Sequence, residues 1–289
     1  MSAVLGIDVG FSERKNTTCL TLLTWGHGLC EHRSVKTGSS DERRRESLRS
    51  LLPMGVCIEA VAIDGPLCRD LEQVKHYRSA DALLSRGRFQ RRGKPGQTSS
   101  PTGQELHRHA TQLARLVLEL VESGWISVKD SAHWQPVFSR AIVEAFPSMF
   151  LAALIPEDRL PEIHRDASDR YWETAVHGGY LDELLNALIP GEIRAFPPQK
   201  VSDHEKRAGI VCALTALSVA RRRFVGVGDP EGGDIILPPA DAWGRSPEGV
   251  SWFERTLREN LPKVRGDARR NHPTHAFARV RTHDGAWFS

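Results

Sequence analysis

Ala3-Val4-Leu5-Gly6-Ile7-Asp8-Val9-Gly10 opens the chain as a β-rich run that stops at an Asp-Val-Gly turn. Thr17 to Trp25 and Leu29 to Val35 read as two more short strands around Gly26-His27-Gly28, which predicts a three-stranded antiparallel opening. Asp41 to Leu52 is a charged helical stretch. Glu59 to Ile63 is then apolar enough for a buried parallel strand, ending at Asp64-Gly65-Pro66. A helix between two such strands makes a crossover, so the expected class is α/β.

Further along, Tyr77 to Leu84 fits a short helix, and Arg86 to Gly103 loses periodicity while gaining Gly, Pro, Ser and basic residues, as a long loop does. Leu106, Ala110, Leu113, Val117 and Leu120 recur at helical spacing and predict a helix of about five turns. Arg140 to Ala145 reads as a strand broken by Pro147, and Asp169 to Leu188 as helix with breaks around Gly178-Gly179. Ser202 to Arg221 is the clearest helix; Phe224 to Val227 and Asp234 to Leu237 form a hairpin across a Gly-rich turn. No repeat recurs. After Pro247 an amphipathic helix, Trp252 to Leu261, precedes an Arg- and His-rich tail without periodicity. The expected organisation is one domain over 1–245 and a basic C-terminal extension over 246–289, the latter including Lys263, Arg265, Arg269 and Arg270 and able to meet nucleic acid or a protein partner.

With 289 residues, 40% hydrophobic and 26% charged, the chain can bury a sizeable core, and no apolar run approaches a membrane span. The Ala3 to Ile7 run is too short for a signal peptide. Five cysteines without C-x-x-C spacing suggest neither a disulfide framework nor a cysteine zinc site, and a reducing cytoplasm is the expected location. A net charge of +3 is too small for a wholesale polyanion binder, so local basic patches carry the question of partners.

Three acids stand at predicted strand ends: Asp8, Asp64, and Glu144 in Val143-Glu144-Ala145-Phe146-Pro147. Ligands of open α/β sheets bind at the carboxyl ends of strands, where converging carboxylates need a counter-cation, and hard oxygen donors select Mg²⁺ or Mn²⁺. Each acid singly could also cap a turn or pair with an arginine. On the helix from Ser202, residues Glu205, Ala208, Gly209, Cys212, Ala213 and Ala216 form one stripe of small side chains headed by an acid. Glu205 could therefore reach the same cation, or serve instead in a Ser202-x-x-Glu205 capping box; Asp203 is the reserve ligand.

This order of elements resembles the ribonuclease H-like fold. More narrowly, the chain is similar over about its first 245 residues to the domain of unknown function 429 family of predicted nucleases. The resemblance rests on Gly6-Ile7-Asp8-Val9-Gly10, Ala62-Ile63-Asp64-Gly65-Pro66-Leu67, Lys94-Pro95-Gly96-Gln97 with Ser100-Pro101-Thr102-Gly103, Val143-Glu144-Ala145-Phe146-Pro147, and the 203–216 segment that starts Asp203-His204-Glu205. It implies a ribonuclease H-like mixed sheet flanked by helices and a metal-dependent phosphodiesterase, an analogy of fold. Related resolvase-type nucleases place an Asp on the last helix where this chain has Ala208.

A two-metal hydrolysis, with ions about 3.5–4 Å apart, would have Asp8 bridge both ions, Asp64 and Glu144 hold one each and Glu205 join the second. Arg86, Arg88, Arg91, Arg92 and Lys94 make a basic cluster suited to a phosphate backbone, or simply a solvated loop. Lys94, set by Pro95 and Gly96, could stabilise developing phosphate charge, and Arg207 near a helix start hints at a phosphate or carboxylate partner. Two other functions compete. One is a non-catalytic nucleic-acid or protein binding module. The other is an actin-like ATP-binding phosphotransferase, for which Gly226 to Gly233 would be an adenosine loop.

Overall fold

A computed structural model describes every residue except 75, 91, 93–97, 129–141, 163–166, 246–248, 268–271 and 289, and the side chains of 128 and 286–288. The antiparallel opening consists of β1 (Ser2–Asp8), β2 (Thr18–Gly26) and β3 (Leu29–Thr37). Helix α1 (Asp41–Leu51) follows, capped by the Ser40 hydroxyl, and leads to β4 (Cys57–Asp64), parallel to β1. Next come α2 (Ser79–Ser85), α3 (Pro101–Glu122), β5 (Ser127–Val128) and β6 (Ile142–Ala145), the last parallel to β4. Ser100 caps α3 by accepting from the Gly103 amide at 3.1 Å.

Pro147 does not merely end β6. It is the first residue of α4 (Pro147–Leu154), where its missing N–H costs nothing and its φ suits a helix start. The 169–188 stretch divides at Gly178-Gly179 into α5 (Ala167–His177) and α6 (Tyr180–Leu188), with Gly179 at φ 77°. β7 (Ile193–Arg194), α7 (His204–Ala220) and the antiparallel hairpin β8 (Val225–Asp229) and β9 (Gly233–Leu237) complete this part.

The described residues of 246–289 pack into the same body. Helix α8 (Trp252–Arg265) buries Trp252, Phe253, Leu257, Leu261 and Val264 in the core. The tail, in which no periodicity was expected, supplies β10 (Arg279–Thr282) and β11 (Gly285–Phe288), and β10 pairs with β8. Long-range pairing, invisible in local periodicity, makes these strands. The strands lie in the order β11-β10-β8-β9-β6-β4-β1-β2-β3-β7, with β5 beside β4, and the described chain is an α/β protein.

Because successive side chains of a strand point to opposite faces, each central strand feeds two cores. Leu5, Ile7, Leu20, Leu22, Val61 and Ile63 pack with Leu48 and Leu51 of α1 and Leu113, Val117 and Leu120 of α3. Val4, Leu23, Ala60, Ala62 and Ala145 face the other way, with Cys212, Ala213 and Ala216 of α7. Helix α7 comes so close that a Cβ at Gly6 would overlap the Ala213 amide and stand 2.5 Å from the Gly209 carbonyl oxygen. Both neighbours are backbone and cannot rotate away. Gly6→Ala is therefore expected to cost about 3 kcal/mol, the upper end of overpacking. Urea denaturation checks this, and a loss under about 1 kcal/mol would show the helix free to retreat.

Candidate active site

The pairing register sets four residues in one row across the sheet: Asp64 opposite Asp8, Asp8 opposite Cys19, and Cys19 opposite Lys36. Register partners share a face, so all four project toward α7. Asp8 and Asp64 end β1 and β4, each partly buried, and among the described residues no group donates a hydrogen bond to either carboxylate. Burial, then Asp64 and Glu205, push the Asp8 carboxyl well above the usual range, against the opposing pull of Lys36. Burial and the nearby Glu144 charge push Asp64 up to about 7.

The turn after Asp8 is held rigidly. The fully buried Arg44 of α1 donates to the Gly10 carbonyl oxygen at 2.8 Å, and the Thr18 hydroxyl donates to the same oxygen at 2.8 Å. Arg44 Nη1 also lies 3.0 Å from His109 Nδ1 of α3. Burial lowers the Arg44 pKa to about 10, which still leaves it charged at neutral pH. Cys19 stands between Asp8 and Lys36 in the row, but burial pushes its thiol up to about 12 and raises that of Cys212 as well. Neither sulfur is a thiolate nucleophile near pH 7.

Glu144 occupies a different place from the one expected. It is in register with Ile63, not Asp64, so it points to the opposite face. There it is buried and bound bidentately by Arg78, Nη1 to Oε2 at 2.6 Å and Nη2 to Oε1 at 2.8 Å, while the Leu67 amide donates at 2.9 Å. Arg78 also donates to Asp81 at 2.9 and 3.2 Å, and Thr98 bonds Asp81 in turn. Arg78 and Glu144 are 2% and 4% exposed as side chains, so one guanidinium serves two buried carboxylates.

The α7 acids are engaged too. Asp203, not Ser202, is the N-cap, accepting from the Lys206 amide at 3.0 Å. Glu205 makes no capping box; with Asp203 it accepts from Lys36 Nζ, at 3.0 and 2.9 Å. Although burial opposes it, the Lys36 hydrogen bond and then the Lys206 amide hold Asp203 below the usual carboxylate range. Two unbonded hard carboxylates, Asp8 and Asp64, thus fit a divalent cation, since Mg²⁺ commonly takes one or two carboxylates and fills its shell with water and substrate phosphate. Among the described residues no group of three or more His, Cys, Asp or Glu is arranged to hold a metal.

The basic cluster is largely tied to the protein. Arg86 donates to Asp267 at 2.6 Å, Arg88 pairs with Glu157, and the Arg92 guanidinium lies 5.7 Å over the Trp252 ring. Phe89 is buried against Phe253 with ring centroids 4.6 Å apart and is not offered to bases. Arg91 and Lys94 lie outside the described residues. Arg207 finds carboxylates, Asp169 at 3.1 Å and Glu173 at 3.3 Å, both on α5. The Gly226 to Gly233 segment is a hairpin whose turn is closed by Asp229 Oδ1, which accepts from the Glu231 and Gly232 amides at 3.0 and 2.6 Å.

Sequence reasoning missed Lys36 and Arg78. Lys36 carries no motif; only the β3 register brings it to α7. For the Arg78 cluster one signal was present, since Asp81 interrupts the small and apolar run Ser79-Ala80-Asp81-Ala82-Leu83-Leu84. Among the described residues, no helix is long and apolar enough to cross a membrane. No protein-family model matches the chain, and no curated protein or solved structure matches it.

Proposed function

We propose that this chain is a divalent-metal-dependent nuclease of ribonuclease H-like architecture, hydrolysing phosphodiester bonds of DNA or RNA. The observation that carries it is the Asp8–Asp64 pair: two adjacent strand-end carboxylates without protein donors, repelling each other on a partly buried surface. The order β3-β2-β1-β4-β6, antiparallel at first and then parallel, supports the fold, as does the late helix α7 packed across β1 and β4. These elements carry most of the motifs similar to the domain of unknown function 429 family.

Asp8 and Asp64 would hold Mg²⁺ or Mn²⁺. When bound, such an ion supplies charge stabilisation for the phosphoryl group and activation of the attacking water. The chain's own residues do the rest. Arg44 and Thr18 fix the turn beyond Asp8, and the Arg78 clamp holds the Glu144 carboxylate in place near Asp64. Arg86 and Arg88, partly exposed although paired, can exchange a carboxylate for a backbone phosphate.

The purified chain, incubated with labelled single- and double-stranded DNA and RNA, is expected to cleave at least one of them with Mg²⁺ or Mn²⁺ and none with EDTA. Asp8→Asn is expected to abolish that cleavage. A second reading draws on the engagement of Glu144 and Glu205 by protein cations: a non-catalytic binding module. Retention of nucleic acid without turnover by the folded wild type would favour it.

A further inference from the structure

Lys36 ends a row that begins at the two unbonded carboxylates, and its ammonium sits where the α7 acids converge. Asp203 Oδ2 accepts from Lys36 Nζ at 2.9 Å and Glu205 Oε2 at 3.0 Å. The three side chains are 26% to 34% exposed, so the cluster lies at the rim of the site. Asp64, Asp8 and Lys36 lie in one row on the face under α7, so the strand-end acids and the α7 acids share one side of the sheet with the lysine. Four carboxylates would carry four negative charges, and the lysine removes one.

We propose that the Lys36 ammonium stands in the place of a second cation, so that the chain binds one divalent ion, at Asp8 and Asp64. The proposal rests on the metal-dependent reading above and departs from the two-ion scheme expected from sequence. Its physical basis is competition for ligands. A second ion needs Glu205 or Asp203 as donor, and both are already held by a tethered cation at hydrogen-bond distance. The cation is also covalently tethered, because Lys36 belongs to β3 and lies opposite Cys19.

An ammonium has three donors, and Asp203 and Glu205 take two. The third is left for a phosphate oxygen of the substrate, the role a second ion would otherwise fill. Lys36 is thus a positioning residue for the α7 acids and sets a positive charge in the same row of the sheet as Asp8.

Mn²⁺ titration of the whole chain, followed by calorimetry and electron paramagnetic resonance, tests this. The wild type is expected to bind one Mn²⁺ with a mononuclear six-line spectrum. Lys36→Met frees Asp203 and Glu205 and is expected to bind two ions, the second weaker, with the broadened spectrum of a coupled pair. Two ions on the wild type would overturn the lysine's role and leave the nuclease reading standing. No ion on the wild type would overturn the nuclease reading, and this inference with it. One ion on Lys36→Met would also overturn the inference, since a merely structural lysine would lower the melting temperature without changing stoichiometry. Lys36→Gln, which keeps a polar tip on a shorter stem, repeats the test if the methionine variant does not fold.

Discussion

Arg78→Met is expected to destabilise the fold by about 3–5 kcal/mol, the cost of removing one partner from a buried ion pair. The guanidinium is the shared counter-charge of Glu144 and Asp81, and both carboxylates are almost without solvent. Methionine fills much of the same volume, so the loss measures charge and not a cavity. The stranded carboxylates must then take up protons, and burial already acts to raise the Glu144 pKa even with Arg78 present. Adding Glu144→Gln to Arg78→Met is expected to recover part of the loss, because the amide needs no counter-charge. Equilibrium unfolding of the wild type, both single variants and the double variant gives the coupling energy. A loss below about 1 kcal/mol for Arg78→Met would mean that water reaches the cluster.

Asp64→Asn is expected to act in the opposite direction on stability while removing function. In the folded chain Asp64 holds its proton up to about pH 7, against 3.8 for its ordinary carboxyl. Below pH 3.8 the carboxyl is protonated in both folded and unfolded chains, and its full contribution to stability is present. As pH rises from there through about 7, the unfolded chain ionises first and that contribution is lost. The amide cannot ionise. The metal-free variant is therefore expected to gain on the wild type between about pH 4 and 7 and to stay ahead above that window. Each kcal/mol of relieved repulsion raises the melting temperature by about 2–4 °C in a chain of this size. Mg²⁺ is expected to reverse the order, because an ion that bound only the folded wild type would stabilise it by mass action, while the variant would gain nothing. Thermal melts at pH 4, 6 and 8, with and without Mg²⁺, check the sign. A constant difference across those pH values would contradict the raised Asp64 carboxyl that burial and Glu144 produce.

Residues close in sequence announced much of this protein. The Asp-Val-Gly turn, the charged helical stretch and the Asp-Gly-Pro stop place Asp8 and Asp64 at strand ends, because turn chemistry and apolar periodicity are local properties. The small-residue stripe of α7 likewise foretold a helix pressed on the sheet, and the Gly6 contact bears that out. The Ser202 capping box shows how far such local reasoning extends: the acid one position later is the cap, and Glu205 turns to a lysine far away in the chain.

What local pattern cannot carry is register between strands distant in sequence. A shift of one residue between β4 and β6 would turn Glu144 to the face of Asp64; the pairing of Ile63 with Glu144 turns it instead to Arg78. The same holds for Lys36, brought to α7 through β1 and β2, and for the tail, whose strand β10 exists because β8 offers it an edge. Amino-acid order thus specified which acids end strands. Packing of the two cores decided which of them share a face and which are answered by a buried cation, since only the register that buries both apolar faces is stable.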